Sequence, residues 1–179
     1  MKINVSDIFY TLKIFTGVFV VNKVLGRLKE LGIEYELDEH EAVFTIEEII
    51  ALGLNKKGMI PVNLFLRDYK GKRHFLVIHD GEKHTDLMKL REQIGCTRLS
   101  FGSEERLMKH LGLTPGSVSP FGLINNANHD VELVIDESIR GRERLGFHPN
   151  TNTATVWISW EGFMKFVESC GNPVKFVDC

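Results

Sequence analysis

The chain of 179 residues predicts an α+β fold, a mixed β-sheet with helices packed around it. Three observations carry that prediction. Short apolar strand-like runs and short helix-periodic runs interleave without a regular strand–helix rhythm. Two of the strand-like runs, 63–67 and 73–79, flank a connection containing Gly71 and read as a hairpin. Apolar residues make up 43% and charged residues 26%, a globular balance at a length that buries one sizeable core.

The elements follow in order. Ile8–Val21 is apolar but is interrupted by Lys13 and is shorter than the roughly 20 residues a membrane span needs. It has no strongly basic leader and no clear small-residue cleavage site. Residues 1–22 are therefore expected to be a docked helix or an extension, with one domain over 23–179. Val24, Leu25, Leu28 and Leu31 recur at helical spacing, and Gly32 is placed to stop that helix. Ile33–Leu37 reads as a short strand. Thr45 followed by Glu48 predicts a capping box, opening a helix that runs to about Leu52 before Gly53.

After the hairpin, Asp80 and Gly81 mark a turn. Asp86–Ile94 is a helix stopped by Gly95, and Arg98–Ser100 a short strand. Ser103, with Glu104 and Glu105 behind it, caps a helix ending at Gly112. Val131–Ile135 and Thr155–Ile158 are strands by β-branched content. Ser159 and Glu161 start a last helix that carries Phe163, Phe166 and Val167 inward and reaches about Ser169.

Composition excludes several classes of function. A net charge of −2 does not suit a protein that coats nucleic acid, so any nucleic-acid grip is local. Lys56 with Lys57, Lys70 with Lys72 and Arg73, and the stretch Arg140–Arg144 are the places for phosphate contacts, or else ordinary solvated surface. Cys96, Cys170 and Cys179 are odd in number and lack CxxC spacing, which argues for a reducing compartment and against disulfides or zinc. The seven histidines show no metal-ligand spacing. No GxxxxGK phosphate loop, GxSxG elbow or Cys–His nucleophile pattern occurs.

Two loops are more particular than simple connections. Leu113–Gly122 has Pro115 and Pro120 to fix φ, and Gly116 and Gly122 to allow close backbone approach. It reads either as a Pro/Gly turn or as a rigid cradle presenting backbone N–H groups. Gly146–Thr155 gathers hydroxyl and amide side chains around His148, which precedes Pro149. His148 is either a pocket base or a loop histidine bonded to backbone.

At these loops the sequence resembles the prolyl-tRNA editing, or YbaK-like, deacylases, free-standing relatives of the editing insertion of bacterial prolyl-tRNA synthetases. The resemblance covers about residues 23–179. It rests on HEAVFTIEE at 40–48, NLFLRD at 63–68, LSFGSEER at 99–106, LGLTPGSVSPFGLIN at 111–125, and GFHPN at 146–150 running into NTAT at 152–155. The central block and GFHPN are similar to the alanine-specific branch.

The resemblance implies a mixed, mostly antiparallel β-sheet core surrounded by short helices, and cytoplasmic trans-editing hydrolysis of mischarged aminoacyl-tRNA, Ala-tRNA(Pro) first. It implies no metal or organic cofactor. The implied partners are the aminoacyl 3′ end of a tRNA and a prolyl-tRNA synthetase or elongation factor. No membrane is expected, and the chain is expected as a monomer or homodimer. His148, Gly116 and Asn63 are implied as catalytic residues. Val62, Ser117, Val118, Ser119, Pro120, Phe147, Asn152 and Thr153 are implied to bind substrate. The family carries a lysine before NLFLRD where this chain has Val62. That departure supplies a second reading, a weakened homologue that binds aminoacyl-tRNA ends or amino acids in regulation. Lys83 and the Lys56–Lys57 pair are the cations that would have to stand in.

Overall fold

The computed structural model describes residues 20–81 and 85–179. The apolar stretch up to residue 19, and Lys83, lie outside the described residues. Among the described residues no helix is long and apolar enough to cross a membrane.

The expected mixed sheet is realised as two sheets. One has three antiparallel strands in the order β1 (Glu36–Glu39), β7 (Ala154–Ile158), β6 (Leu145–Phe147). The other has five, in the order β4 (Ser100–Phe101), β2 (Val62–Arg67), β3 (His74–His79), β5 (Val131–Asp136), β8 (Val174–Val177). The β2–β3 hairpin and the β2–β4 pair are antiparallel, whereas β3–β5 and β5–β8 run parallel. An isolated bridge between Met59 and Leu145 joins the two sheets just ahead of β2. That junction sets the start of β2 beside β6, and the candidate site lies there.

Among the described residues five α-helices cover the sheets: α1 (residues 20–30), α2 (Ile46–Ala51), α3 (Leu87–Ile94), α4 (Glu104–Leu111) and α5 (Trp160–Cys170). Helix α1 ends at Gly32, whose φ of 62° is cheap only for a residue without a side chain. Helix α5 buries Phe163, Phe166 and Val167 against Phe121 and Phe147, the faces the sequence assigned inward. Central strand β3 alternates between two cores. Leu76 and Ile78 join Val24, Leu28 and Phe166 on one side, while Phe75 and Val77 meet Leu90, Ile94 and Leu99 on the other. A strand covered on both faces has no polar alternation to keep, which explains its continuous apolar run.

Four elements depart from expectation. β1 falls at Glu36–Glu39 rather than 33–37, because Ile33 turns into the core and the acidic run pairs with β7 through its backbone. β6 occupies the first residues of a stretch read as loop, and β8 lies past the last expected helix. Residues Pro120–Asn125 form a 3-10 helix instead of an open loop. Each is short, and none repeats apolar residues often enough to show a period.

The capping box forms as the sequence predicts. Thr45 Oγ1 accepts from Glu48 N at 3.2 Å, and Glu48 Oε2 accepts from the N–H of Thr45 at 3.0 Å and of Phe44 at 2.6 Å. Thr45→Ala is expected to weaken α2 by about 1 kcal/mol, read as amide exchange in the helix faster by roughly fivefold. Unchanged exchange at Glu48 would show that packing, not the cap, holds the helix.

Candidate functional site

A cavity of about 230 Å³ opens where the two sheets meet. Its floor is the start of β2, with Ile60, Pro61, Val62 and Asn63. The sheet-one wall is Gly146 and Phe147 of β6, His148 just beyond it, and Thr155 of β7. Gly116 and Val118 of the Pro/Gly loop form a third side, and Phe44, Thr45 and Ile49 at α2 form the rim.

Ser119 brings the two predicted loops together. Its hydroxyl donates to the His148 carbonyl at 2.5 Å and accepts from Phe121 N at 3.2 Å. Asn150 adds a second tie, donating through Nδ2 to the Phe121 carbonyl at 3.3 Å. The segment before α2 is laced to the same region, since His40 N donates to Thr153 O and Val43 N to Asn152 O, both at 3.0 Å.

These ties leave the cavity with a polar side and an apolar side. His148 Nδ1 lies 3.1 Å from the Ala154 carbonyl. A carbonyl only accepts, so Nδ1 carries the hydrogen, and in the neutral ring Nε2 keeps its lone pair. Burial pushes the His148 pKa below the ordinary histidine value, opposed by the Ala154 bond and aided by the nearby His40 ring. The ring is therefore neutral, and a base, near pH 7.

Thr155 is oriented the same way from behind. His40 Nδ1 donates to the Glu41 carbonyl at 2.7 Å, so its Nε2 accepts from Thr155 Oγ1 at 3.0 Å. The Thr155 oxygen keeps its lone pairs for other donors. Asn63 donates weakly to the Pro61 carbonyl, and its Oδ1 is buried without a partner among the described residues. Three residues that line the cavity thus carry an acceptor atom not committed to another donor: His148, Thr155 and Asn63.

Similarity to known proteins follows this geometry. The aminoacyl-tRNA editing domain family matches residues 40–166, a span that contains every cavity residue. The prolyl-tRNA editing protein ProX of Acetoanaerobium sticklandii is 46% identical over 155 residues, covering 87% of this chain and 94% of that protein. The chain belongs to the aminoacyl-tRNA editing domain family. The prolyl-tRNA synthetase associated domain-containing protein 1 of Mus musculus is 35% identical over 150 residues, 82% of this chain and 88% of that one. The fold matches that of a proposed trans-editing enzyme for prolyl-tRNA synthetase, with a TM-score of 0.67, 20% identity and coverage of 89% and 97%.

In this editing domain the structure brings together His148, Gly116, Asn63, Val62, Val118 and Phe147 of the expected site residues. It sets Ser117, Ser119, Pro120, Asn152 and Thr153 off the cavity wall. Ser117 is buried with its N–H on the Thr114 carbonyl, and Pro120 is buried as the first residue of a 3-10 helix. Asn152 and Thr153 accept from Val43 and His40 through their backbone carbonyls, and neither is among the residues lining the cavity.

Reading the sequence missed Phe44, Thr45, Ile49, Ile60 and Pro61 as cavity residues, and His40 behind them. Capping and turn signals identify local structure, and only the sheet junction shows what they face. The basic clusters are largely paired at the surface: Lys57 with Asp38, Arg73 with Glu132, Arg140 with Glu137 and Arg144 with Glu36. Among the described residues no three His, Cys, Asp or Glu side chains gather in a metal-binding group.

Proposed function

We propose that the editing domain hydrolyses the ester joining an amino acid to a tRNA, with Ala-tRNA(Pro) as its substrate. The observation that carries this reading is one cavity with an oriented neutral imidazole on one side and an apolar wall on the other. The family match and the kinship with ProX supply the substrate class.

The substrate's α-ammonium group meets Thr155 and Asn63, whose oxygens accept. Its side chain meets Ile60, Val62 and Phe147 in a space that suits a methyl group and rejects a larger one. Exclusion by size is the effective device here, because an apolar pocket gains only about 1–3 kcal/mol from one methylene. Ser117 N–H is already taken, so Gly116 and Val118 are the loop residues whose N–H groups serve the ester carbonyl. Water held by His148 Nε2 attacks that carbonyl and gives up a proton to the ring. The ring then returns the proton to the departing ribose oxygen, so that free amino acid and free tRNA leave. The partners in this reading are the tRNA 3′ end and a prolyl-tRNA synthetase, in the cytoplasm.

The second reading, binding without turnover, has one observation behind it. Val62 places an apolar side chain where the resembling deacylases carry a lysine. Following ester loss from proline tRNA charged with alanine, cysteine, serine or proline separates the two. Alanine should be released well above the spontaneous rate and proline should not. Binding of the charged tRNA without release would favour the second reading, and gain of release by Val62→Lys would trace the defect to that position.

A further inference from the structure

Phe44 is 70% exposed, an unusual place for a phenyl ring. Eight large apolar side chains are exposed among the described residues, and Phe44 alone among them lines the cavity. Its backbone is pinned, because Phe44 N donates to Glu48 Oε2 at 2.6 Å in the same set of bonds that caps α2. Its ring is backed as well as held. A Cβ placed on Gly116 would lie only 3.1 Å from Phe44 Cδ1, so the ring rests against the bare backbone of the Pro/Gly loop. The glycine has a φ of 83°, which independently disfavours any side chain there. The result is an aromatic surface fixed at the mouth, supported on one side and open on the other.

We propose that Phe44 is the stacking platform for the adenine of the terminal adenosine whose ribose carries the aminoacyl ester. This assignment rests on the deacylase reading and extends it to a specific substrate contact. An ester carbonyl held inside the cavity leaves the attached ribose at the mouth and its base beside the rim, where Phe44 is the exposed aromatic. Stacking is the recognition chemistry this site favours. A phenyl ring offers no hydrogen bond, a base has a π-face, and a chain of net charge −2 has little basic surface to draw in phosphates. Every tRNA ends in the same adenosine, so such a contact adds affinity without selecting among tRNAs. Selection is left to the amino acid cavity and to contacts farther along the tRNA.

Two measurements test the assignment. In deacylation of Ala-tRNA(Pro), Phe44→Ala should raise KM by about 5- to 150-fold, the equivalent of stacking one base, with kcat affected far less, and Phe44→Tyr should keep KM near that of the parent. The second needs no turnover. A CCA trinucleotide with 2-aminopurine as its last base should lose fluorescence on binding the parent protein and Phe44→Tyr, and keep it with Phe44→Ala. Unchanged KM in Phe44→Ala, a defect confined to kcat, or equal quenching by all three proteins would each overturn the assignment. Quenching that depends on Phe44 in a protein that releases no alanine would support the platform and refute the hydrolytic reading separately. Because Phe44 is exposed, its removal leaves the core intact, and an unchanged unfolding midpoint checks this.

Discussion

Replacing His148 with Ala is expected to lower kcat/KM for ester release by about 10²- to 10⁴-fold, the usual contribution of a positioned general base. The geometry behind this is specific. The Ala154 carbonyl fixes the hydrogen on Nδ1, which leaves Nε2 to accept from water. The pH profile carries the sign. The folded His148 pKa lies below the ordinary histidine value, chiefly through burial, so the neutral base persists into mildly acidic solution. Activity of the parent should hold as pH falls through about 6.5 and decline only below it. The variant should lose that acidic limb altogether. A limb that survives in His148→Ala would assign the titration to another group, and a loss smaller than tenfold would leave His148 a wall residue.

The second large effect concerns stability, at a cluster away from the cavity. His74 is buried and stacks on Phe65, with its ring centroid 3.9 Å from that of His110. Arg106 Nη1 lies 2.9 Å from His74 Nε2 and only donates, so His74 accepts there and is neutral in the fold. Burial first, then the charges of His110 and Arg106, lower its pKa to about 4, while Asp130 and Asp68 oppose the shift. A depressed folded pKa means that the unfolded chain binds the extra proton between about pH 6.5 and 4. Stability is therefore complete above that window and is lost as pH falls through it. The loss is of order 3 kcal/mol, most of it incurred by pH 4.5. Urea unfolding at pH 7 and pH 4.5 should show the fall in the parent. His74→Gln keeps an acceptor for Arg106 but does not titrate, so its fall should be smaller by that amount. Equal falls in the two proteins would show that other groups set the acid sensitivity.

Much of this molecule was legible before its structure. The capping box at Thr45, the Ser103 cap, and the glycine stops at 32, 95 and 112 are local events, decided by residues three or four apart. The β2–β3 hairpin and the inward face of α5 follow from period and turn chemistry in the same way. The two loops and His148 also stood out, because proline, glycine and clustered small polar residues are unusual together.

Tertiary structure alone decided what those loops face. Ser119 bonds to the carbonyl of a residue 29 positions away, and His40 orients a hydroxyl 115 positions away, contacts no periodicity encodes. The same reason explains the errors at β1 and β8, whose partners are remote strands. It also explains why Ser117 lies off the cavity wall, with its N–H on the Thr114 carbonyl. The sequence determined short-range backbone geometry, where neighbouring residues fix the energy. Assembly of the cavity depends on packing between the two sheets, where distant residues fix it.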